Sequence, residues 1–164
     1  MEFMHLGIKI SVSDPEIRRI VLERLGGEDL AAELISTPPR IGTEWSEHGG
    51  IYAGVVRGRD GAPDTHLIIG PAYEGDLTWD EAVAFAKGVT QKGFTDWRLF
   101  YRPEGAVAYA NVPELFAGKT HWTCEQHADY PGYAWYQHFS NGTQRSWGKD
   151  GKLRARAVRS VIIQ

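Results

Sequence analysis

The residue types that could carry acid–base chemistry gather in one short run, Cys-Glu-Gln-His-Ala-Asp from Cys124 to Asp129. Glu125, His127 and Asp129 stand at alternate positions, so an extended backbone would project them to one side. A carboxylate within hydrogen-bond reach of an imidazole is the minimal general acid–base unit. An enzyme built on these three residues is one reading of the chain; a strand end with a solvated polar side is the other. His121, His127 and His138 offer imidazole ligands for zinc. Their spacing matches no H-x-x-x-H pair, no H-x-E followed by C-x-x-C and no EF-hand loop, so no metal and no cofactor is expected. Cys124 is the sole cysteine, which rules out an intramolecular disulfide. His121 and His127 each lie three residues from it, on the opposite face of a strand, so a half-buried structural thiol is expected rather than a nucleophile. Gly54 to Gly61, GVVRGRDG, is turn chemistry and not a phosphate loop.

A second pattern is aromatic. From His127 to Arg159 the chain carries two Trp, three Tyr, one Phe and two His. If Asn141-Gly142 is a two-residue hairpin turn, Ser140 pairs with Thr143, His138 with Arg145 and Tyr136 with Trp147, all on one face of the ribbon. Trp135, Gln137 and Phe139 then point the other way, and Trp135 and Phe139 are expected in the core. Tyr136, His138, Arg145 and Trp147 form a mixed aromatic, cationic and hydrogen-bonding surface, the composition of binding hot spots. Trp122, Glu125, Tyr130 and Tyr133 are placed nearby, the last two in or beside the loop from Glu125 to Gly132.

The elements that must hold these residues are legible as periodicities. Phe3 to Val12 reads as a short strand. Asp14-Pro15 opens a helix with Ile17, Ile20, Val21 and Leu25 at helical spacing, and a second short helix runs from Glu28 to Ile35. Pro38-Pro39 closes this unit. Ile51 to Val56 and His66 to Ile69 read as a hairpin with a polar loop. Thr78 followed by Glu81 is a capping box, and Ala82, Val83, Phe85, Ala86 and Val89 make the apolar stripe of the helix behind it. A further helix is placed around Glu104 to Tyr109. His121 to Gln126, Tyr133 to Ser140, Thr143 to Trp147 and Leu153 to Ile163 then form an antiparallel meander, which gives an α+β chain.

The 164 residues suffice for one main core, and a net charge of −3 without a Lys/Arg run leaves no electrostatic footprint for nucleic acid or an anionic membrane. The N-terminus lacks the pattern of a secretory signal and no apolar run reaches the length of a membrane span. A cytoplasmic or virion-associated protein is expected.

The order of motifs LTWDEAVAFAKGV, DWRL, PELF, HWTCE, YAWYQHFSNG and RAVRSV resembles the DUF1566 family, also called the Lcl C-terminal domain, over roughly Gly49 to Val161. The resemblance implies a C-type-lectin-like fold whose ligands sit on the exposed face of the C-terminal strands, and an origin in bacteria, phages or prophages. Related modules adhere to glycans or host surfaces. Phe100 replaces the proline of the family's W-R-L-P, and HWTCE replaces a small-residue strand. Neither the E-P-N or Q-P-D loop nor the W-N-D strand of calcium-dependent sugar binding is present, so no calcium ligand carries over. The expected organisation is a strand/helix appendage over residues 1–48 and a C-type-lectin-like domain over 49–164. The expected function is a non-enzymatic binding module for a protein or glycan, with a phage protein acting on a host target as the specific form. The alternative is a structural subunit of an assembly, with the N-terminal unit as the element that forms a homo-oligomer.

Overall fold

The computed structural model describes residues 2–5, 8–11 and 37–163. The chain divides into two compact units, Met1–Pro38 and Pro39–Gln164. In the first, β1 (Glu2–His5) and β2 (Ile8–Ser11) pair antiparallel from Glu2↔Ser11 to His5↔Ile8. One strand was expected over Phe3 to Val12, where the chain forms two, β1 and β2. The expected helices at 14–25 and 28–35 lie outside the described residues.

The second unit is α+β, with two antiparallel sheets and two α-helices. One sheet has the order β3-β4-β5-β9, formed by β3 (Glu44–Trp45), β4 (Gly50–Val56), β5 (Thr65–Ala72) and β9 (Arg156–Ile162). The other has the order β6-β7-β8, from β6 (Thr120–Gln126), β7 (Tyr133–His138) and β8 (Gln144–Gly148). Two expectations change here. The unit starts at Pro39 instead of Gly49, because β3 pairs with β4 and Trp45 is buried in the core. The last strand also leaves the meander and joins β5. Ala157, Val158 and Arg159 are all buried, which fits a strand covered on both faces: beside β5, Ala157 enters one core cluster and Val158 the other.

Helix α1 (Trp79–Gly88) begins as its sequence requires: Thr78 Oγ1 accepts from the Glu81 N–H and the Glu81 carboxylate accepts from the Thr78 N–H. Helix α2 (Arg102–Asn111) starts with Pro103 in its first turn and with the Glu104 carboxylate accepting from the Tyr101 N–H at 2.7 Å. The segment Trp97–Phe100 stitches the sheets together. Arg98 exchanges both backbone hydrogen bonds with Val158 of β9, and the Phe100 carbonyl accepts from Cys124 of β6.

Strand β5 shows why the core has two parts. Ile68 faces a cluster with Trp97, Trp122, Leu77 and the α1 alanines, whereas Leu67 and Ile69 face Phe100, Phe116, Phe139 and Val112. The period-2 alternation of a strand sends neighbours to opposite sides, so one apolar run feeds both clusters. Phe116 and Phe139 stack in parallel at 3.7 Å. Among the described residues no helix is long and apolar enough to cross a membrane.

Candidate ligand-binding surface

The β6–β7–β8 sheet divides the expected site residues between its two faces. Residues pair as Tyr136↔Arg145, Trp135↔Ser146 and Ala134↔Trp147, and Trp122 lies opposite Tyr136. Trp122, Tyr136, Arg145 and Trp147 therefore share one face, and Tyr133, Trp135, Gln137 and Gln144 the other. The expected two-residue hairpin is shifted by two positions. A type I′ turn needs positive φ at both central residues, and of Asn141 and Gly142 only Gly142, at +76°, has it. The loop instead takes four residues. Asn141 Oδ1 accepts from Thr143, and Phe139 turns inward with its N–H on the Lys119 carbonyl. His138 consequently faces Thr143 and not Arg145, bonds Ser140 through Nδ1 at 2.9 Å, and is half-buried.

On the first face Trp122 is a core residue: it is 0 % exposed and its indole N–H donates to the Leu77 carbonyl at 2.8 Å. It cannot touch a ligand, which corrects its place among the contact residues. Its burial follows from β6 running under Leu77 and Leu153, with a hydrogen bond from its N–H to Arg154. Tyr136 is half-buried against the same cluster. Trp147 is 48 % exposed; one side of its ring covers Gly151, and its centroid is 6.5 Å from Trp122 at 30°. Arg145 is exposed, with no ion pair among the described residues.

The second face carries a ladder of rings. The Arg102 guanidinium lies 3.7 Å from the Trp135 ring centre. His127 stacks on Trp135 at 5.4 Å and 10°, Tyr130 tilts against His127 at 5.0 Å, and Tyr133 meets Tyr130 edge-on at 6.1 Å. Tyr130 and Tyr133 are 62 % and 46 % exposed. Trp135, expected in the core, is only half-buried, because the aromatic core beneath is already filled by Phe100, Phe116 and Phe139.

Polar groups lock this ladder in place. Glu125 Oε1 accepts from the Arg102 N–H at 2.7 Å, supplying one of the acceptors that a helix N-terminus lacks and placing a negative charge where the helix dipole favours it. Gln144 accepts from Arg102 Nε at 3.1 Å, and its amide donates to the Arg102 carbonyl and to Gln137 Oε1, both at 2.7 Å. Gln137 is fully buried, so its side-chain carbonyl needs this partner. Behind it, Glu104 grips Arg98 through two bonds of 2.7 Å, and Ser160 bonds both. Arg102, Gln144 and Tyr101 were not among the expected site residues. The signal for Arg102 is its position before Pro103 at a helix start, where a side chain projects beyond the first turn.

The residues read for acid–base chemistry do not converge. Glu125 is held by Arg102, His127 Nδ1 accepts from the Asp129 N–H at 3.2 Å, and Asp129 itself is exposed. Burial pushes the Cys124 thiol up to about 12, away from a reactive thiolate. Burial lowers His121 to about 4; its ring sits edge-on to Phe116 and Phe139. His121, His127 and His138 thus lie in three different settings, and among the described residues no group of three or more His, Cys, Asp or Glu side chains is placed to hold an ion. No protein-family model matches the chain, and no curated protein matches it either.

Proposed function

We propose that the chain is a non-enzymatic binding module with a C-type-lectin-like second unit, and that it recognises a protein through the β6–β7–β8 sheet and the loop before β7. One observation carries this reading. Of the five aromatic side chains exposed among the described residues, Tyr101, Tyr130, Tyr133 and Trp147 lie on or beside that sheet, and Tyr73 alone lies elsewhere. Exposed aromatic rings on a hydrogen-bonded scaffold give large contact area at low entropic cost, which is how protein-binding surfaces are built.

A protein is favoured over a glycan by the environment of Trp135. Arg102 and His127 both stack on its indole ring, so the protein's own side chains already take up much of the stacking surface a sugar would use. The resemblance to the DUF1566 family supports a bacterial or phage origin, and a host protein as target follows from that origin. The module then works in the cytoplasm or on a virion.

The test is affinity capture from bacterial lysate with the native chain and a Tyr130→Ser, Tyr133→Ser variant of matched stability. A protein retained by the native chain and lost by the variant supports the reading. Capture of the same proteins by both overturns the assigned face, and binding to a glycan array without protein capture overturns the ligand class.

A further inference from the structure

The two faces of the β6–β7–β8 sheet meet at a strand edge. β8 pairs with β7 alone, in unbroken register from Tyr133↔Gly148 to Gln137↔Gln144. In an antiparallel pair, opposed residues alternate between those that exchange backbone hydrogen bonds and those that do not. The bonds from His138 N–H to the Thr143 carbonyl and from Lys149 N–H to the Gly132 carbonyl fix the alternation at both ends. Arg145 and Trp147 therefore turn their backbone groups inward to β7. Gln144 and Ser146 turn theirs outward, and no backbone hydrogen bond reaches those groups among the described residues. The edge closes at Gly148, whose carbonyl accepts from Gly151.

We propose that β8 is a docking edge at which an extended polypeptide segment of the partner adds a fourth strand, with an acidic side chain beside Arg145 and an apolar one beside Trp147. The inference rests on the binding-module reading and narrows it to a mode of recognition. Free backbone donors and acceptors on a sheet edge template a further strand, and alternate side chains then set the specificity. Arg145 and Trp147 project on one face two residues apart, so the matching side chains on the added strand are also two apart. The charge sign follows from Arg145, an exposed cation with no carboxylate partner among the described residues. The apolar match follows from Trp147, whose inner side rests on Gly151 while nearly half of the residue is open.

A displayed library of random heptapeptides selected on the full chain tests this. Enriched peptides are expected to carry an acidic residue two positions from an apolar one. A synthetic copy of the strongest should lose about tenfold in affinity on Arg145→Glu, the order of one lost charge-assisted contact. Ser146→Pro removes an outward N–H without touching the β7 ladder and should also weaken binding. Should that variant unfold, N-methylation of the peptide carries the same test: methyl groups on alternate amides should abolish binding in one register and spare it in the other. Absence of any enriched peptide, or peptides that bind Arg145→Glu equally and tolerate methylation at every amide, overturns strand addition. If a lysate protein is still captured through Tyr130 and Tyr133 in that event, the binding module stands and only the edge mode falls. If neither binds, both fall.

Discussion

At the scale of single residues, the chemistry of this chain is set by burial. His121 keeps its ring neutral because the Phe116–Phe139 stack surrounds it, and the nearby Arg156 and Arg154 charges push in the same direction. Its folded value, about 4, lies below the ordinary 6.5, so between those limits the unfolded chain binds a proton that the folded chain refuses. The stabilisation is therefore complete above about pH 6.5 and lost as the pH falls towards 4, by up to about 3 kcal/mol. His48 and His66, also lowered by burial, add to the same slope. Urea midpoints measured from pH 7 to pH 4.5 should fall for the native chain and fall less for His121→Phe, whose ring suits the same aromatic site. An unchanged slope in that variant would place the acid sensitivity elsewhere. The alternating Glu125, His127 and Asp129 show how spacing alone misleads. Their period suited one face of a strand, but β6 is irregular between Trp122 and Gln126, with Thr123 Oγ1 accepting from the Glu125 N–H and donating to the Trp135 carbonyl. That irregularity turns Glu125 to helix α2.

At the scale of elements, local signals were the legible ones. The capping box at Thr78 and Glu81 gave α1 at its observed start, and the β4–β5 hairpin and the three strands of the second sheet all occur near their expected places. What the sequence hid was register and partner choice. Asn141-Gly142 marks a turn, but the inward pull on Phe139 decides that the turn is four residues long. Nothing local to β9 says that it crosses to β5. The two helix starts also differ in how they are held. Thr78→Ala removes one capping acceptor at an exposed site and should cost about 1 kcal/mol. Glu104→Gln keeps a side chain able to accept from Tyr101, but leaves the Arg98 guanidinium without its counter-charge in a largely buried setting. It should cost more, about 2 kcal/mol after allowing for the partial exposure of Arg98. Equal losses in chemical denaturation of the two variants would show that the Arg98–Glu104 pair adds nothing beyond a cap.

At the scale of the whole molecule, the second unit packs its apolar side chains into two clusters and leaves four of its five exposed aromatic rings on or beside the β6–β7–β8 sheet. The sequence showed that the C-terminal third was unusually rich in aromatic side chains, and Tyr130, Tyr133, Arg145 and Trp147 are indeed exposed. It did not show that the sheet would separate them onto two faces joined by an edge. Nor did it show that Arg102, from a helix distant in sequence, would complete one of them; both are consequences of long-range packing. The most direct check of a binding face on this sheet is photo-cross-linking in living bacteria, with a benzophenone side chain placed in turn at Tyr133, Trp147 and Val55. All three positions are exposed, and Val55 belongs to the other sheet. Discrete adducts with one protein at positions 133 and 147, and none at 55, are the expected result. Adducts at 55 alone, or none at 133 and 147, would contradict a binding face on the β6–β7–β8 sheet.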